Sequence, residues 1–251
     1  MDRQDKKVEY KAETKPTSLK IILAAFAAAG FIILTFTISA WKIFGGINLA
    51  VGTLSTLPAP EVSEGERGEL GIDKNINETT IDNYLGRSDT VYRDMRMLVD
   101  PANYAAIGGD SYLTGIVNGY EVVPYPYLAP VEGLPEAVGA PYSGPALFSK
   151  DENGNYVANY EESMTALEEL FPKDKNIFLM CGGGGYARDT KALLVSLGWD
   201  ENKIYNTGSF WSYRGDNVTT FKAELNGETI YKFWNVPYHD IDFPTLHVKK
   251  N

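Results

Sequence analysis

The sequence predicts an α/β fold: a parallel sheet flanked by helices on both faces, preceded by one transmembrane helix and followed by a small β-hairpin. Three observations predict it. An uncharged apolar run fills residues 21–41. Between 86 and 215, short apolar segments alternate with segments of helical period. At 217–236, two β-rich runs are joined by Asn226-Gly227, the strongest short hairpin signal.

The first element is the apolar run from Ile21 to Trp41, "IILAAFAAAGFIILTFTISAW". As a helix it is roughly 31 Å long, which matches a hydrocarbon core of about 30 Å. Trp41 and Lys42 suit an interfacial anchor. The preceding tail, 1–20, carries Arg3, Lys6, Lys7, Lys11, Lys15 and Lys20, whereas 42–60 carry only Lys42. The positive-inside rule therefore puts the N-terminus in the cytoplasm and the rest of the chain outside it, in contact with the lipid bilayer through 21–41. A cleaved signal peptide, giving a secreted protein, is the competing reading, although Ile38 is bulky for a cleavage site.

Residues 42–85 mix Gly, Pro, Ser and charge without a period, and read as a tether. The α/β domain follows over 86–215. "TVYRDMRMLVD" and "GYEVVPY" are strand candidates, and "YEESMTALEELF" places Met164, Leu167, Leu170 and Phe171 at helical spacing. "NIFLM" is a compact apolar strand, "RDTKALLVSLG" a helix stopped by Gly198, and "KIYN" the next strand. Strands alternating with helices imply the parallel sheet. Residues 216–251 form the hairpin extension.

The chain is 44% apolar and 12% aromatic, the composition of a folding protein. Its formal charge of -10, with no basic block after residue 20, argues against nucleic acid as a partner. The single cysteine, Cys181, excludes an internal disulfide and a thiolate zinc cage.

Cys181 heads "CGGGGYARDT", and three readings of this loop compete. Gly182, Gly184 and Ala187 match the G-x-G-x-x-A of a dinucleotide loop, but the following strand, "KIYN", closes without the acidic residue that ribose binding requires. A P-loop is excluded because no G-K-[ST] follows. A purely structural turn needs fewer than four glycines, each of which adds to the entropy lost on folding. In the third reading, bare backbone amides converge as an anion nest, and the helix starting near Ala187 adds its positive end. A cysteine there is expected to have a lowered pKa and to act as a nucleophile.

In this third reading the sequence resembles the rhodanese (sulfurtransferase-like) family. "CGGGGYARDTKALLVSLGWDENKIYNTGSFW" follows that family's strand, Cys, Gly-bearing loop, helix ending in Gly, strand, then Gly and Trp. Gly184 falls on the loop glycine, Gly198 on the helix-ending glycine, and Gly208 with Trp211 on the closing motif. "GIVNGYEVVP", Gly115 to Pro124, looks like the family's G-H-I-P-G-A-x-x-x-P segment, with Ile116 where His is usual. Asp94 and Arg96 resemble the Asp-x-Arg that ends the first core strand, with Asp100 a rival for the acidic position. The resemblance spans about residues 88 to 213.

The resemblance implies a Cys181 thiolate that takes sulfur from a small sulfur-containing donor and holds it as a persulfide. A thiol or a cyanide-like acceptor then removes it. The anion-binding loop would comprise Gly182, Gly183, Gly184, Gly185, Tyr186, Ala187 and Arg188, supported by Asp94, Arg96 and Trp211. No cofactor or metal is implied. One departure stands out: Tyr186 occupies the position where the family places an Arg, and Arg188 lies two residues beyond. Tyr186 offers one hydroxyl hydrogen bond and no charge, so binding of thiosulfate dianion should suffer. The same departure leaves a second class open, a rhodanese-like binding or scaffold module without turnover. It also excludes the C-x5-R loop of cysteine phosphatases.

Other candidates are weaker. His239 and His247, with Asp240 and Asp242, lie in a Pro-interrupted tail whose spacing gives no ligand geometry, and they read as surface residues. Glu161-Glu162 and Glu168-Glu169 read as the solvated face of a helix. The tyrosine-rich run "GYEVVPYPYL" reads as packing, with pocket lining or an extended partner as the alternatives. The sequence names no protein partner.

Overall fold

The computed structural model describes residues 55–63 and 68–250. The expected transmembrane helix at 21–41 lies outside them. Among the described residues, no helix is long and apolar enough to cross a membrane.

The domain is mixed α/β, built on a four-stranded parallel sheet. Its strands are β1 (Thr90–Asp94), β3 (Glu121–Val122), β6 (Asn176–Cys181) and β7 (Ile204–Ser209), in the order β3-β1-β6-β7. The sequence reason is plain in β6, where Ile177 to Cys181 are all buried, because a central parallel strand is covered on both faces. Between β1 and β3 runs β2 (Gly115–Val117), which pairs antiparallel with β8 (Val218–Thr220). A small antiparallel pair, β4 (Phe148–Lys150) and β5 (Tyr156–Ala158), follows α1 (Tyr125–Leu128). The longer helices are α2 (Ser163–Leu170) and α3 (Gly185–Ser196).

Residues on alternate sides of β6 enter two cores. Ile177, Leu179 and Cys181 pack with α1, α2 and α3 through Leu128, Leu167, Leu170, Leu193 and Leu194. Phe178 and Met180 face the other way, against Ile76, Ile81, Tyr92, Tyr120, Tyr205 and Phe221. The expected helices on both faces are therefore corrected: all three α-helices cover one face. The second is closed by a 3-10 turn at Ile81–Tyr84, by β2 and by Phe221, which follows β8. The physical reason lies in the segment before β1, read from sequence as a tether. Asp73 accepts from the amides of Asn75 and Ile76, and this turn drives Ile76 and Ile81 into the core.

The Asn226-Gly227 hairpin forms, although the segment set apart as an extension from 216 also supplies β8 and Phe221 to the domain. β9 (Lys222–Leu225) and β10 (Glu228–Tyr231) pair antiparallel. Asn226 and Gly227 both take positive φ, 53° and 83°, as a two-residue type I′ connection demands. The remaining tail returns over the domain, bridging Val122 through Tyr238 and Tyr160 through Val248. In the tyrosine-rich run, Tyr120 and Tyr125 are buried in the two cores, which is the packing role expected of them.

Candidate active site

Cys181 is the last residue of β6, on the helix-covered side of the sheet. The chain turns over Gly182 and Gly183, and Gly184 caps α3 in the left-handed conformation at φ 79°. The helix starts at Gly185, two residues earlier than expected, so the predicted nest is shorter and its amides belong partly to the first turn. The backbone N–H groups of Ala187, Tyr186 and Gly183 are the ones near enough to the sulfur to favour its charged form. Asn206 of β7 braces the turn by donating its Nδ2 to the Gly184 carbonyl at 3.1 Å.

A bulge in β7 sets the opposite wall. Leu179 pairs with Asn206, but Cys181 pairs with Ser209, so β7 carries an extra residue there. Gly208 absorbs it with φ 91°. The bulge aims Ser209 at the loop, where its Oγ donates to the Gly182 carbonyl at 2.6 Å. Trp211 N–H donates to the same carbonyl at 3.1 Å. The Trp211 indole then fills the space beside Gly182 and Gly109: a Cβ on either glycine would stand within 2.4 Å of the ring.

Asp94 and Arg96 form a buried ion pair at 2.6 Å, joined by further bonds from Arg96 Nε and backbone N–H to the same carboxylate. Arg96 also donates to the Gly115 carbonyl at 2.7 Å and stacks its guanidinium over Phe210. Among the described residues, Arg96 Nη1 and Trp211 Nε1 are buried without a partner. Asp100, the rival acidic candidate, has a separate role: its carboxylate accepts from the Ala102 amide at 3.0 Å and from the Tyr186 hydroxyl at 2.8 Å. Tyr104 completes the group, its hydroxyl 2.6 Å from that of Tyr186.

These residues surround a cavity of about 220 Å³ with Cys181 in its lining. Arg96, Asp100, Tyr104, Arg188 and Trp211 also line it. Of the site residues named from sequence, all line the cavity except Asp94, Gly184 and Ala187, which stand behind its wall. Three further carboxylates, Asp110, Glu132 and Asp189, join the lining without any sequence signal. Nor does any signal point to Tyr104, which opens a short 3-10 helix, Tyr104–Ile107.

Two expectations are corrected. The lowered pKa foreseen for Cys181 is reversed: burial pushes the thiol up, and the three amides facing it only partly offset that. The second concerns Tyr186, whose hydroxyl is committed to Asp100 rather than free for a ligand. Burial raises the pKa of both partners, and it pushes Tyr104 up to about 12. Arg188 does line the cavity, but its guanidinium is paired with Asp189 at 2.6 Å.

The two histidines are held apart. His239 meets Glu121 at 2.8 Å and His247 meets Glu162 at 2.5 Å. Among the described residues, no group of three or more metal-ligating side chains gathers. Comparison with protein-family models, with curated proteins and with solved structures finds no match to the chain.

Proposed function

We propose that the chain is a membrane-anchored, extracytoplasmic sulfurtransferase with a rhodanese-like domain, carrying sulfur as a persulfide on Cys181. The observation that carries this reading is the placement of Cys181. It ends a central parallel strand, beneath the amides of Gly183, Tyr186 and Ala187 and the start of α3, in the wall of a cavity. Amides in that position stabilise negative charge on sulfur whenever it develops. The sheet order, the Asp94–Arg96 pair behind the site and Trp211 over the loop all support the rhodanese-like reading. The charge asymmetry around residues 21–41 supports the anchor and its orientation.

The test is sulfur loading of the full chain in detergent. Incubated with thiosulfate, polysulfide or a thiol persulfide, it should gain one cyanide-labile sulfur on Cys181, and Cys181→Ser should gain none. No uptake from any donor would sink the reading. That result would favour the second one, a rhodanese-like binding or scaffold module at the membrane surface. Its support is specific: Tyr186, standing where the family has an Arg, is tied to Asp100, and the thiol is held protonated by burial.

A further inference from the structure

The charges of the cavity are unequal once their pairings are drawn. Arg96 is cancelled by Asp94, which is fully buried, and Arg188 by its neighbour Asp189. Glu132 is paired outward with Lys150 at 2.6 Å. Two carboxylates remain, Asp100 and Asp110, neither of them in an ion pair among the described residues, although Arg214 shares a neighbouring depression with Asp110. Asp100 is bound only by neutral donors, and the polar contact of Asp110 is the Thr114 hydroxyl at 3.4 Å. A dianion entering this space would meet net negative charge and no free cation.

Arg96, 7% exposed, lines the cavity but offers it no free donor: its one nitrogen without a partner among the described residues, Nη1, is buried out of the open space. A fitting ligand therefore brings a positive charge to Asp100 and Asp110, beside a transferable sulfur.

On the sulfurtransferase reading, we infer that the sulfur donor is a small aminothiol hydropersulfide, its transferable sulfur on a carbon skeleton bearing an ammonium group. The step balances without an oxidant. Cys181 sulfur attacks the outer sulfur of R–S–SH and a Cys181–sulfur bond forms as the donor's S–S bond breaks. RS⁻ leaves and takes up the proton that Cys181 gives up, yielding Cys181 persulfide and RSH. Neither overall charge nor oxidation level changes.

The experiment compares four donors on the full chain in detergent: the hydropersulfides of cysteamine, 2-mercaptoethanol and 3-mercaptopropionate, whose carbon skeletons carry a positive, a neutral and a negative substituent beside the same persulfide group, and thiosulfate. Mass spectrometry follows the addition of one sulfur to Cys181. Rates should fall in that order, with on the order of tenfold between the cationic and anionic hydropersulfides at low salt, shrinking as salt screens the cavity. Asp110→Asn, an exposed position, should narrow that ratio. Equal rates, or fastest loading from the anionic donor, would overturn the inference and leave sulfur carriage standing. Loading from none of the four would overturn both together.

Discussion

Trp211 packs against Gly182 so tightly that a Cβ on the glycine would lie 2.4 Å from the indole. The first glycine after Cys181 is therefore required by its neighbour as well as by the turn. The same indole closes on Gly109 from another loop, at 2.3 Å for the equivalent Cβ. Trp211 is the piece that joins the β7 side of the cavity to the loop before β2.

Gly182→Ala should displace this ring. Overpacking of this kind costs about 1–3 kcal/mol, read from urea unfolding. Because the ring is part of the lining that covers Cys181, a disulfide reagent should react faster with the variant thiol. Wild-type stability together with an unchanged thiol rate would refute this account of Trp211.

Removing Arg96 leaves Asp94 as a buried charge without its partner. Arg96→Met should cost about 3–5 kcal/mol. Asp94→Asn in the same chain should recover part of that, because the neutral amide needs no counter-ion. A double-mutant cycle measures the coupling, which should lie well outside the roughly 0.5 kcal/mol expected of independent sites.

Asp100 gives a pH signature. Burial raises its carboxyl above the ordinary Asp value, so the folded protein binds that proton more tightly than the unfolded chain does. Ionisation at Asp100 is thus unfavourable in the fold at neutral pH, and this disadvantage disappears as pH falls through the folded pKa towards about 3.9. Asp100→Asn keeps an acceptor for Ala102 and a polar partner for Tyr186. Thermal melts should show it more stable than wild type at pH 7 and equal near pH 4. A constant difference across that range would reject the assignment.

Much of this arrangement is legible in the sequence, for physical reasons that differ by element. β6 announces itself because a strand buried on both faces must be continuously apolar. α2 and α3 show a helical period because each covers only one face, and Asn226-Gly227 declares its turn because both residues tolerate positive φ. What stays hidden depends on distance along the chain. Tyr186 and Asp100 are 86 residues apart, and no local pattern joins a phenol to its acceptor. The second face is closed by Ile76 and Ile81, whose spacing has neither helical nor strand period, so their segment reads as tether. The loop amides at Cys181 were legible, but burial, which outweighs them, is a property of the assembled cavity.

That burial is testable at the sulfur. The Cys181 thiol is raised above an ordinary value of about 8.5, so alkylation by iodoacetamide in the free protein should have its midpoint above that pH. The folded state holds this proton while the unfolded chain releases it, so stability falls as pH rises beyond about 8.5. Cys181→Ala should remove that part of the alkaline slope. A midpoint below 8 would show that the loop amides and α3 outweigh desolvation.

The tail offers the opposite sign. His247 sits in an exposed clip with Glu162: its Nδ1 meets Glu162 Oε1 at 2.5 Å, and its amide donates to Oε2 at 3.0 Å. The carboxylate raises the imidazole pKa above its ordinary 6.5, mainly through that hydrogen bond. A raised histidine stabilises the docked tail fully below the unfolded pKa and loses that effect as pH rises through the folded one. An NMR titration should therefore find the His247 midpoint above 6.5, and Glu162→Gln should bring it back. Amide exchange at Glu161, which donates to the His247 carbonyl at 2.9 Å, should quicken beyond base catalysis across the same window. If the midpoint does not move in Glu162→Gln, the clip does not hold the tail.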